Sequence, residues 1–91
     1  MTKEEITLKI LDIFRTEFEM ENTGLDDDLR KTGEFDSVDA IELLLEIERF
    51  LHIDLTHEEK KLAMEVRTIR QIIDYVELLV KKNVNGNPKD N

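Results

Sequence analysis

Four times along this chain a helix-start signal is followed by apolar residues at three- and four-residue spacing. No stretch sustains the apolar/polar alternation of a half-buried strand. Thr2 with Glu5, Thr56 with Glu59 and Thr68 with Gln71 fit the capping-box pattern, and Asp36 with Asp39 is an acidic version of it. In each, a side-chain oxygen accepts from an otherwise unpaired N–H of the first helical turn. Behind the first signal come Ile6, Ile10, Ile13, Phe14 and Phe18; behind the last come Ile69, Ile72, Ile73, Val76, Leu79 and Val80. Val38 to Leu51 is the strongest helical run, and a shorter segment, about 57–65, follows Thr56 with Leu62 as its clearest apolar contact. Glu19 to Phe35 lacks periodicity and holds Gly24, Gly33 and the run Asp26-Asp27-Asp28. A connection that long is unusual in a compact domain and is often functional. The expectation is an all-α protein: a small four-helix bundle of three main helices and one short one, with a long first loop. The bundle is expected over residues 1–82. The stretch 83–91, polar and carrying Gly86 and Pro88, reads as a flexible tail.

Composition narrows the function. The chain has 91 residues, one domain's worth, and a formal net charge of −9. So acidic a chain repels phosphate backbones and anionic membranes, and favours protein partners with basic surfaces. It contains no cysteine, so thiolate metal sites, disulfides and a cysteine nucleophile are excluded, and any thiol chemistry needs an imported sulfur. Met1-Thr2-Lys3-Glu4-Glu5 lacks the apolar core of a secretory signal, and no apolar run is long enough for a membrane span. The expected location is the cytoplasm.

The segment 37–51 holds most of the functional information. At about 100° per residue its apolar positions fall into two groups. Ala40, Leu43, Leu44, Ile47, Phe50 and Leu51 share one broad arc, assigned to the core. Val38, Ile41 and Leu45 share another, with Asp39, Glu42 and Glu46 between the two and Glu48 bordering the second. A helix packed on one side needs only one apolar stripe. A second stripe edged by carboxylates suits docking, with apolar contact for affinity and charge for steering. The alternative is that the long loop or the short helix covers it; spacing leaves both open. Ser37 begins this helix, where unpaired N–H groups and the positive end of the helix dipole favour a phosphate ester. A serine there is also an ordinary cap.

The segment Phe35-Asp36-Ser37-Val38-Asp39-Ala40-Ile41-Glu42-Leu43-Leu44-Leu45-Glu46-Ile47-Glu48 resembles the Asp-Ser-Leu region of acyl carrier proteins. The likeness continues without a gap through Arg49 to Leu55, and Thr68 to Val76 is similar to that family's last helix. The resemblance implies a carrier rather than an enzyme. Ser37 would receive 4′-phosphopantetheine from coenzyme A, and the arm's thiol would hold an acyl or aminoacyl group as a thioester. Asp36 would lie beside the incoming cofactor. Val38, Ile41 and Leu45, with Asp39, Glu42, Glu46 and Glu48, would meet partners: a phosphopantetheinyl transferase, a loading enzyme, and downstream transferases or synthases with basic docking surfaces. A monomer is expected, with no nucleic acid and no metal.

The chain departs from the fatty-acid type in places. Val38 follows the serine, Glu46 and Arg49 are atypical, and the slightly longer segment from Thr56 to Arg67 carries Lys60, Lys61 and Arg67. These differences suggest a specialised carrier with its own loading enzyme, for amino acids, short acids or unusual acyl groups. His52 and His57 lack metal-ligand spacing and are expected to be solvated or capping. Asp26-Asp27-Asp28 lacks the EF-hand pattern and reads as a loop-solvating run. No Ser-His-Asp set or catalytic carboxylate pair stands out. Phe14, Phe18, Phe35, Phe50 and Tyr75 are expected in core or helix–loop contacts rather than in a stacking platform.

Overall fold

A computed structural model describes residues 2–31 and 35–85, with side chains described as far as residue 82. It contains four helices: α1 (Lys3–Glu17), α2 (Ser37–Leu51), α3 (His57–Ala63) and α4 (Ile69–Asn85). No strand occurs among the described residues. All four helix starts are capped as the sequence suggests. Thr2 Oγ1 accepts from the Glu5 N–H at 3.1 Å while Glu5 Oε1 accepts from the Thr2 N–H at 2.8 Å. Thr56 and Glu59 repeat the exchange at the start of α3, and Thr68 and Gln71 repeat it before α4. α4 runs past the expected bundle boundary at 82 to Asn85. The first strong breaker is Gly86, and the remainder of the expected tail, 86–91, lies outside the described residues.

The helices bury one stripe each. Ile6, Ile10, Ile13 and Phe14 of α1 meet Ile69, Ile72, Ile73, Val76 and Leu79 of α4, along which α1 packs. From α2, Ala40, Leu43, Leu44 and Ile47 are buried, whereas Phe50 and Leu51 at its far end are only partly covered. α2 ends on His52 in the left-handed region (φ 58°), and the Ile53 N–H folds back to the Glu48 carbonyl at 3.2 Å, the usual geometry of a helix stop.

α3 departs from expectation. Leu62 is 53% exposed, and Glu59 and Ala63 turn inward instead. Glu59 lies in the box with Thr56, and its other carboxylate oxygen accepts from Lys82 of α4 at 2.9 Å. The Tyr75 hydroxyl donates to the Glu59 carbonyl at 2.7 Å. Glu59 and Ala63, one turn apart, therefore define the inner face, and Leu62 falls ~80° round from its midpoint. Thr56 and Lys82 hold the Glu59 carboxyl below the usual carboxylate range, with the Thr56 backbone donor the larger cause. Burial, then the charges of Glu59 and Glu48, pushes the Tyr75 phenol up to about 12.

The long first connection is sewn to the α3–α4 turn. The Leu29 N–H donates to the Arg67 carbonyl at 2.7 Å, the Arg70 N–H donates to the Leu25 carbonyl at 2.9 Å, and the Arg30 guanidinium donates to the Met64 carbonyl at 2.8 Å. The three aspartates do more than solvate the loop. Asp26 takes two hydrogen bonds from Arg70, which hold its carboxyl below the ordinary range; Asp27 accepts from the Gly24 N–H; Asp28 accepts from the Arg30 N–H and pairs with Arg67 at 3.7 Å. The loop ends at Phe35, which is buried in a triangle of rings with Phe14 and Phe18, centroids 5.3 to 5.5 Å apart. Such ring pairs contribute about 0.5–1.5 kcal/mol each beyond their buried area. They pin the chain one residue before the cap of α2. Tyr75 is buried and Phe50 lies under the Lys9 ammonium, so the aromatics serve packing as expected.

Candidate functional site

The site grows from the entry to α2. Phe35 is anchored in the core, and Asp36 follows in extended conformation as the N-cap. One Asp36 carboxylate oxygen accepts from the Val38 N–H at 3.0 Å and the Asp39 N–H at 3.1 Å. The Asp36 carbonyl takes the Ala40 N–H, and Asp39 returns a carboxylate to the Asp36 N–H at 3.2 Å. Phe35 and Ala40, on either side of the cap, line one small void, as in a hydrophobic staple. The cap is therefore Asp36. Ser37, the first helical residue, is exposed, and its hydroxyl has no hydrogen-bond partner among the described residues. This corrects the reading of Ser37 as an ordinary cap. It also corrects the expected pool of free donors, because Asp36 already occupies two of the first-turn N–H groups.

From Ser37 the outer face of α2 carries Val38, Ile41 and Leu45, exposed by 71%, 55% and 45%. Neither the described part of the long loop nor α3 covers this stripe. The carboxylates beside it differ in freedom. Glu42 is exposed and takes no hydrogen bond or ion pair among the described residues. Asp39 is held in the cap, Glu46 is half-buried against Arg49 at 2.7 Å, and Glu48 Oε2 accepts from the Leu55 N–H at 2.8 Å. Glu17, Glu42 and Glu46 bring carboxylate oxygens within 4.8 Å of one another where α1 ends beside α2, a concentration of negative charge on a solvated surface. His52 and His57 are exposed, and His52 serves as the stop residue of α2.

Beside the stripe a groove of about 340 Å³ runs between α2 and α3, lined by Ile41, Leu44, Leu45 and Glu48 on one wall and His57, Lys60, Lys61 and Met64 on the other. Lys60 and Lys61 stood out in the sequence as basic departures, but His57 and Met64 were not placed with them on one face. The signal was present: 57, 60, 61 and 64 follow the i, i+3, i+4, i+7 spacing of one helix face.

The family profile described as a phosphopantetheine attachment site matches residues 8–76, a span that contains α2, α3, the long loop and the entry to α2. The chain belongs to the acyl carrier protein family. No curated protein and no solved structure matches it. Domains of this family are the place of covalent 4′-phosphopantetheine attachment, and they are typically non-catalytic. The acyl-carrier fold agrees with the helical bundle found here, and no helix among the described residues is long and apolar enough to cross a membrane. The residues at the α2 entry fit such a group, since an exposed, unpartnered hydroxyl stands clear of the packed core. The acyl carrier protein family modifies a serine, and Ser37 is the single serine in the sequence.

Proposed function

We propose that Ser37 carries 4′-phosphopantetheine and that the protein holds an acyl or aminoacyl group on it as a thioester, delivering that group to partner enzymes in the cytoplasm as a monomer. The observation that carries this reading is the sole serine, exposed and without a partner among the described residues, one residue after the Asp36 cap within a matched family span. In the loading step the Ser37 oxygen forms a bond to the phosphorus nearer the pantetheine of coenzyme A. The bond from that phosphorus to the bridging oxygen breaks, the 3′,5′-bisphosphorylated adenosine leaves, and the serine proton passes to a base on the transferase. When bound, the arm supplies a thiol that forms the thioester. The chain's own residues hold the stage still: Phe35 anchors the approach, and Asp36 and Asp39 fix the first turn. Val38, Ile41 and Leu45 present apolar contact, with Asp39, Glu42, Glu46 and Glu48 as the charged surround for a transferase, a loading enzyme and downstream synthases. A tethered thioester meets each partner at high effective concentration, and brief, charge-steered encounters suit such traffic. The capping of α2 by Asp36 speaks against the alternative, a non-catalytic interaction module in which Ser37 is only a cap. Incubation with coenzyme A and a promiscuous phosphopantetheinyl transferase should add one phosphopantetheine by mass to the wild-type chain and none to Ser37→Ala. No gain, or a gain that survives the substitution, overturns the proposal.

A further inference from the structure

We infer that the docking face of this carrier is bipolar, and that its partners are protein surfaces with a basic patch set against Glu42 and an acidic patch set against Arg49, Lys60 and Lys61. The inference rests on Ser37 bearing the arm and on the α2 stripe meeting partners. At the serine end the free charge is Glu42, exposed and unpaired among the described residues. At the far end the sign inverts. Arg49 falls in line with Val38 and Leu45, all three within ~40° around α2. Its side chain is 72% exposed. Only Nη1 donates, to Glu46, which leaves most of the guanidinium's donors to a partner. Glu46 is neutralised by that pairing, and Glu48 is turned to the Leu55 N–H at 2.8 Å. Lys60 and Lys61 widen the cationic end, since they line one groove with Ile41 and Leu45. Neither lysine has an ion pair or side-chain hydrogen bond among the described residues, whereas Arg67, Arg70 and Lys82 are tied to Asp28, Asp26 and Glu59. The exposed carboxylate of Glu58 sits with Leu62 on another side of α3, ~120° round from the lysine face.

Glu42 and Arg49 stand ~8 and ~18 Å from Ser37 along the axis of α2, at 1.5 Å per residue. The two signs are thus ~10 Å apart, about one screening length at 0.1 M salt, so a docked partner feels each separately. A partner seated the right way round meets two attractions. Turned end for end, it meets two repulsions. Because Ser37 lies at one end of this face, that choice decides whether the arm enters the partner or points away from it. A surface basic along its whole length gains at Glu42 and loses at the three cations, so the far end sorts partners as well as orienting them. A uniform polyanion, such as nucleic acid, is repelled by Glu42 and by the net charge of −9. Exposed ion pairs are individually weak. The far end therefore acts on orientation and choice more than on tightness.

The test uses a synthetic amphipathic helical peptide with leucines along one face, lysines flanking them in one half and glutamates in the other. It carries a nitroxide at the glutamate end, and amide broadening of the full chain is read by NMR. Arg49, Lys60 and Lys61 are expected to broaden more than Asp39 and Glu42. Moving the nitroxide to the lysine end should exchange the two sets. In Arg49→Gln/Lys60→Gln/Lys61→Gln the orientation should be lost and binding should weaken roughly fivefold or more, as the loss of three exposed pairs allows. Lys60→Arg/Lys61→Arg should retain both. Lys31→Gln/Lys81→Gln, which removes two exposed cations elsewhere, should also retain both. No binding, equal broadening from either label position, a glutamine triple variant that behaves as wild type, or an equal loss in the Lys31/Lys81 variant overturns the inference. Loading of Ser37, read by mass, separates the two claims. A mass gain with a failed peptide result removes the bipolar face alone, and no mass gain removes both.

Discussion

At the residue scale the decisive fact is the division of labour between two neighbours. Asp36 caps α2 and leaves the next side chain idle, so position 37 can change without weakening the fold. Asp36→Ala is expected to cost about 1 kcal/mol, the usual worth of an N-cap side chain. Ser37→Ala should stay within about 0.5 kcal/mol, as exposed substitutions away from caps and core do. Urea melts of the two variants check this, and a loss at Ser37 equal to that at Asp36 would show the hydroxyl to be structural. The Asp36–Asp39 pair marked the cap in the sequence, but a serine beside it is also a good cap, so spacing left the role of the hydroxyl open. The buried position of Phe35 sets the register of the first turn, and its partners Phe14 and Phe18 lie in another helix and its end.

Elements whose signals are local were read correctly, and those fixed by distant partners were not. The four caps and the stripes of α1, α2 and α4 depend on residues within one or two turns, so spacing reveals them. α3 has only seven residues, too few for a stripe to define a direction. Its inner face is chosen by Lys82 and Tyr75 on α4. The same holds for the long loop, whose Asp26 finds Arg70, 44 positions away. The α3 anchor has a pH signature. The folded-state pKa of Glu59 lies below its unfolded value, so its share of stability is present above the ordinary carboxylate pKa and is lost as pH falls through the lower folded value. Thermal melts from pH 7 downward should show wild type losing stability over the acid range more steeply than Glu59→Gln. Parallel curves would mean that the carboxylate adds nothing.

For the whole molecule, charge is the property that partners meet first. With −9 overall and Glu42 free beside the exposed stripe, encounter with a basic transferase should be fast at low salt and slow as ions screen it. Glu42→Lys is expected to lower the rate of phosphopantetheine transfer roughly threefold or more at low salt, with the gap closing at high salt. Stopped-flow or quenched mass measurements across ionic strength read this directly, and a salt-independent rate equal in both proteins would reduce the acidic face to plain solvated surface.

The small void at the α2 entry, which Leu44 and Tyr75 also line, measures about 10 Å³, room for about one water. If Ser37 bears a thioester as proposed, a cargo kept outside so small a space stays within range of hydroxide and stray nucleophiles for as long as it waits. Its survival then depends on how soon a recipient collects it, so a pathway built on such a carrier gains from keeping loading and unloading enzymes close together and from never letting the charged pool stand idle.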